Sequence, residues 1–94
     1  MRKYEMIYIL KTQEQEALDA LVAKFDAVIV AQGGTIEKAD IWGKRRLAYP
    51  IQDLTEGYYV LQHIVGEPTV INELDRVMKI SDDLLRHMIV VIEE

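Results

Sequence analysis

Between residues 4 and 10 the chain runs Tyr-Glu-Met-Ile-Tyr-Ile-Leu, a β-branched and aromatic stretch that fits a buried strand. Lys11 and Thr12 end it. Thr12 followed by Gln15 has the spacing of a capping box, which predicts a helix starting near residue 13. Leu18, Leu21, Val22, Phe25, Val28 and Ile29 then recur at three- and four-residue steps and make one apolar helix face. Gly33-Gly34 supplies the stop, because glycine accepts the left-handed conformation at a helix C-terminus. Thr35 to Ala48 reads as a second strand that alternates only roughly, with Gly43 at a bulge or bend, and Tyr49-Pro50 breaks it. Residues 51–57 are expected to form a polar loop ending at Gly57, followed by a third strand over Tyr58–Val65. Pro68 suits the first turn of a second helix, whose apolar face is Val70, Ile71, Leu74, Val77 and Met78. Ser81-Asp82-Asp83 is a turn, and Leu84–Ile92 is the fourth strand.

The predicted order is β-α-β-β-α-β, one domain over residues 1–94, without a linker, repeat or low-complexity tract. The short link between the second and third strands favours an antiparallel pair, and each strand-helix-strand unit should cross over right-handedly. The closure that buries both helix faces is an α+β, ferredoxin-like sandwich: a four-stranded antiparallel sheet with two helices on one face. The other sheet face stays uncovered. The expected outer residues are Glu5, Ile7, Ile9, Tyr59, Leu61, His63 and Arg86. Both faces are substantially apolar, which departs from the alternation of a half-solvated sheet. An exposed apolar patch points to a partner, with Ile7, Ile9, Tyr59, Leu61 and His63 as the candidate partner-protein interface. Ordinary scattered surface hydrophobics are the alternative.

Half of the 94 residues are apolar and 29% are charged, enough for a single core and against intrinsic disorder. Cysteine is absent, which removes disulfides, thiol nucleophiles and cysteine-bound zinc. No apolar run approaches the roughly 20 residues of a bilayer span. The opening Met1-Arg2-Lys3-Tyr4-Glu5 lacks the features of a secretory leader, so a cytoplasmic location is expected. The net charge of −5 argues against a nucleic-acid binder held by bulk positive charge and leaves a local basic patch as the route.

Lys44-Arg45-Arg46 is such a patch. Three consecutive cations need solvent or anions around them, and a solvated hairpin end fits the charge as well as phosphate binding does. Arg2, Lys3 and Arg86 are its candidate companions if the ends of the first and fourth strands lie together. Catalytic chemistry finds little support. His63 and His87 lie inside strands, where packing or interface roles are usual, and no nucleophile pair accompanies them. Turn chemistry explains Asp82-Asp83 better than a metal does. Gly33-Gly34 follows a helix where a phosphate-binding loop would open one. No catalytic residue, cofactor, metal or small-molecule substrate is therefore expected. The RNA-recognition motif shares the element order, with a basic residue, glycine and aromatics opening its third strand. Glu56-Gly57-Tyr58-Tyr59-Val60 keeps the glycine and aromatics but has Glu56 in place of the cation, a weak match.

Trp42-Gly43-Lys44-Arg45-Arg46-Leu47-Ala48-Tyr49-Pro50-Ile51 resembles the most diagnostic stretch of the sixth protein of the bacterial small ribosomal subunit. Met1-Arg2-Lys3-Tyr4-Glu5, Gly57-Tyr58-Tyr59 and the run from Lys79 to Met88 resemble further segments of that family, in order and with compatible spacing. The resemblance implies a ferredoxin-like fold and a non-enzymatic structural role in the 30S ribosomal subunit. It also implies binding to the central domain of 16S rRNA together with ribosomal protein eighteen of the small subunit, as a heterodimer. Carried onto this chain, Arg2, Lys3, Lys44, Arg45, Arg46 and Arg86 are the RNA-side residues. Trp42, Leu47, Ala48, Tyr49 and Pro50 shape the long hairpin and its packing or protein contacts. The partner would supply positive charge that this acidic chain lacks, and would give the apolar outer face an occupant. The alternative is a ferredoxin-like regulatory module that binds a small ligand and self-associates through its sheet.

Overall fold

The structure, a computed structural model, describes residues 2–51 and 54–93. The elements follow in the predicted order: β1 (Arg2–Leu10), α1 (Gln15–Ala31), β2 (Thr35–Ile51), β3 (Leu54–Gly66), α2 (Pro68–Lys79) and β4 (Leu84–Glu93). The four strands form one antiparallel sheet in the order β2-β3-β1-β4, so β1 and β3 are central and β2 and β4 are edges. Met6, Tyr8 and Leu10 of β1 and Val60 and Ile64 of β3 are buried against Leu18, Phe25 and Ile29 of α1 and Val70, Leu74 and Met78 of α2. Tyr8 and Phe25 meet edge to face, with centroids 5.5 Å apart, the arrangement that ring quadrupoles favour. This core takes the period-two residues of one sheet face and the apolar stripe of each helix, as the sequence pattern predicts.

Among the described residues, one amide side chain is buried in the core. Gln62 is fully buried, and its amide donates to Asp26 of α1 at 2.7 Å. The Tyr8 hydroxyl shares that interior. Burial, and then the charge of Asp26, push its pKa well above the ordinary phenol range, because both disfavour a phenolate there.

The helix ends differ in how far the sequence anticipates them. Gly33 takes φ 86°, its amide donates to the Val30 carbonyl at 3.0 Å, and the Gly34 amide donates to Ile29 at 2.9 Å. That is the glycine stop read from the sequence. The start is a correction. The Thr12–Gln15 capping box does not form: α1 begins at Gln15, after Glu14, without a side-chain cap bond. Gln15 instead donates to Asp19 at 2.8 Å and to the Tyr58 hydroxyl at 3.3 Å. A tertiary partner competes with the local cap and wins.

The hairpin of β2 and β3 is also longer than the sequence suggests. β2 runs through Tyr49-Pro50 to Ile51, and β3 begins at Leu54, within the expected 51–57 loop. Gln52 and Asp53, between the two strands, lie outside the described residues. Regular pairing is nonetheless interrupted where the break was predicted, since the register shifts between Arg46 and Ile51. An edge strand tolerates this, because proline there removes no ladder donor that a neighbour needs.

The interruption covers part of the outer sheet face. Glu5, Ile7, Tyr59, Leu61 and His63 are half-buried and Arg86 is exposed, in keeping with the predicted outer register. Ile9 is the exception, with only 8% of its surface exposed. A methyl group at Gly57 would lie 2.3 Å from Cγ2 of Ile9 and 3.3 Å from Cδ2 of Leu47. Leu47, itself buried, therefore folds from the hairpin onto the outer face, and Ile9 fills the space that the missing side chain of Gly57 leaves.

Candidate nucleic-acid and partner interface

Register decides which cations can act together. Ile9 of β1 lies between Tyr59 of β3 and Arg86 of β4, while Gly43 pairs with Tyr59, Lys44 with Tyr58, Arg45 with Gly57 and Arg46 with Glu56. Lys44, Arg45, Arg46 and Arg86 therefore collect at the Leu10 end of the sheet. Arg2 and Lys3 stand opposite Gly66 and Val65 at the other end of β1, roughly 20 Å away along the strand. The six predicted RNA-side residues thus form two groups, and the idea that Arg2 and Lys3 join Arg86 is corrected. Antiparallel pairing of β1 and β4 forces this: the starts of the two strands fall at opposite ends. Lys3 is also opposed already, since its ammonium lies 2.8 Å from Glu37. The hydrogen bond to Glu37, and then its charge, raise the Lys3 pKa.

At the β2 side of this end the sheet carries an aromatic ladder. The register shift between Ile41 and Gly43 inserts Trp42 as the extra residue of a bulge, and Gly43 at φ 80° takes the left-handed conformation that such a bulge requires. The Trp42 ring then stacks on Tyr59 of β3, with centroids 6.1 Å apart and planes within 14°. The Arg45 guanidinium lies 5.4 Å from the Trp42 centroid, within range of a cation–π contact. Across the same face, Arg86 Nη1 donates to the Tyr49 hydroxyl at 3.3 Å. Ile9, Leu47, Tyr49, Tyr59 and Arg86 line an open groove, and a second open groove beside Arg86 is lined by Ile7, Ile9 and Met88. The ladder was not anticipated as a unit. Its sequence signal is a glycine inside a predicted strand, directly after the tryptophan.

The rest of the outer face mixes apolar surface with one cross-strand polar pair. Glu5 and His63 are directly opposed in β1 and β3, with His63 Nε2 at 3.1 Å from the Glu5 carboxylate. Met88 and Val90 of β4 remain 57% and 42% exposed, so the apolar patch reaches the sheet edge. His87 points to the helix side, with Nε2 at 2.7 Å from Asp75. Lys79 reaches the same carboxylate at 2.8 Å. Lys79, and then His87, hold the Asp75 carboxyl below the usual carboxylate range. Both histidines are thus tied to structural carboxylates. Among the described residues, no cluster of histidines, aspartates or glutamates could hold a metal ion, and no helix is long and apolar enough to cross a membrane.

An open sheet face, half apolar and flanked by cations on both edge strands at one end, is the geometry of a binding protein that uses its surface. Residues 3–91 match the family described as Ribosomal protein S6. The small ribosomal subunit protein bS6 of Exiguobacterium sibiricum is 52% identical over 90 residues, covering 95% of each chain. That of Desulforamulus reducens is 52% identical over 91 residues, covering 96% of each. That of Moorella thermoacetica is 46% identical over 95 residues, covering 100% of this chain and 97% of its own. The crystal structure of 30S ribosomal protein S6 from Thermotoga maritima has a TM-score of 0.91 at 24% identity, covering 96% of this chain and 86% of that one, a likeness of fold. The chain belongs to the ribosomal protein S6 family. It is a non-enzymatic structural protein of the small ribosomal subunit, and the regulatory-module alternative is set aside.

Proposed function

We propose that this chain binds the central domain of 16S rRNA together with ribosomal protein eighteen of the small subunit. Lys44, Arg45, Arg46 and Arg86 face RNA phosphates, and the outer sheet face meets the protein through Ile7, Tyr59, Leu61 and His63. Ile9 acts from beneath, as support for Tyr59 and Leu47. Arg2 and Lys3, at the far end of β1, make a separate and weaker RNA contact, because Lys3 must first exchange Glu37 for a phosphate.

The observation that carries this reading is the segregation of charge. A chain of net charge −5 places Lys44, Arg45 and Arg46 on one edge strand and Arg86 on the other, at the same end of its sheet, beside an exposed apolar face of the kind that partners cover. Phosphate contacts release counterions, so each one contributes to the salt dependence of binding. Replacing Lys44, Arg45 and Arg46 together by glutamine should weaken binding of a central-domain RNA fragment by the heterodimer. It should also make the log–log salt slope shallower by about 2–3 units. Unchanged affinity and slope in a salt series would remove the cluster from the RNA surface.

A further inference from the structure

The Trp42–Tyr59–Arg45 ladder does more than its packing explains. Trp42 remains 40% exposed although it is stacked. The backbone adopts a bulge with a left-handed glycine beside it, and the main consequence of that bulge is to lay an indole on the open face of the sheet. Arg45 stands within cation–π range of the ring. The pleat directs Lys44 and Arg46 to the other face of the same strand. The acid in register with this run is Glu56, opposite Arg46, so cations outnumber it.

An aromatic ring carrying a guanidinium on an accessible face, with two further cations on the reverse of the same edge strand, matches the chemistry by which proteins hold single-stranded RNA. Unpaired bases stack on aromatic rings or guanidinium planes while neighbouring cations hold the phosphates. An acidic or purely apolar protein segment would use either the charges or the ring. We propose that this ladder is the seat of an unpaired nucleobase: the base stacks on the Trp42–Arg45 surface, Tyr59 holds the indole from the sheet side, and the adjoining phosphates pass over the edge strand β2 toward Lys44 and Arg46 on its other face. The inference rests on the reading of this chain as RNA-binding, and it adds a stacking contact to one otherwise built on charge.

The test compares wild type, W42L and W42Y, each paired with ribosomal protein eighteen, for binding to a central-domain 16S RNA fragment across a salt series. The affinity of each variant for protein eighteen alone is measured in parallel. W42L should bind the RNA roughly tenfold or more weakly with an unchanged salt slope, W42Y should recover most of the loss, and partner affinity, to which Trp42 contributes only through Tyr59, should fall far less than RNA affinity. Trp42 is the only tryptophan of the chain, so subtracting the W42L emission from that of the wild type isolates this ring. RNA should quench it. Equal RNA affinity for W42L and wild type, or no quenching, overturns the nucleobase seat while leaving the charge-based reading in place. A loss confined to partner affinity assigns Trp42 to the protein surface and overturns the seat as well. No RNA binding by the wild-type heterodimer overturns the RNA reading itself, and the seat with it.

Discussion

Asp75 of α2 joins the helix layer to the sheet through His87 of β4, and Lys79, one turn along the same helix, holds the same carboxylate. The folded carboxyl is held below its ordinary range by Lys79 and then His87, so the unfolded chain binds the proton more readily. The stabilisation is therefore present above the ordinary aspartate pKa of about 3.9 and is lost as pH falls through the lower folded value. The carboxylate is partly exposed, so solvent screening keeps the contribution at about 1 kcal/mol or less. Urea denaturation of Asp75→Asn should show lower stability than wild type at pH 7, and the two curves should converge as the pH falls through the lowered folded pKa. A gap that stays the same size into acid would contradict this account of the bridge. Contacts of this kind were not legible in the sequence. His87 could be placed in a strand, and Asp75 lies between the predicted apolar positions of its helix, but their meeting depends on how α2 packs over β4.

At the scale of elements, local chemistry was readable where nothing distant competed with it. Gly33-Gly34 ends α1 because its own backbone conformation suffices. The Thr12 cap failed because Gln15 finds Asp19 and the hydroxyl of Tyr58. The hairpin outran its prediction because Pro50 sits on an edge strand. Its inward fold could not be foreseen, since Leu47 and Ile9 meet only once Gly57 lies beside them. That three-way packing predicts a specific non-additivity. Gly57→Ala places a methyl group 2.3 Å from Cγ2 of Ile9, an overpacking that should cost about 1–3 kcal/mol. Made in an Ile9→Ala background, which removes that methyl, the same substitution should cost markedly less. A double-mutant cycle by chemical denaturation reads the difference, and strictly additive values would contradict the packing described.

For the whole molecule, the fold was legible because its two periods, near two in the strands and 3.6 in the helices, were clear in sequence and closed in one way. The candidate site was legible only in part. Lys44-Arg45-Arg46 is contiguous and could be read directly. The membership of Arg86, and the separation of Arg2 and Lys3, required the register of β1 against β4. The charge arrangement that results is the centre of the proposed function: an acidic protein with Lys44, Arg45, Arg46 and Arg86 at one end of its sheet and an apolar face beside them, proposed to bind RNA fully only when a second protein covers the apolar part of that face. The most direct measurement is binding of a central-domain 16S RNA fragment, with and without ribosomal protein eighteen, across a salt series. The account predicts tight, steeply salt-dependent binding with the partner present and weak binding by this chain alone. Equal affinity with and without the partner would contradict the shared interface, and no binding in either condition would contradict the RNA-binding role.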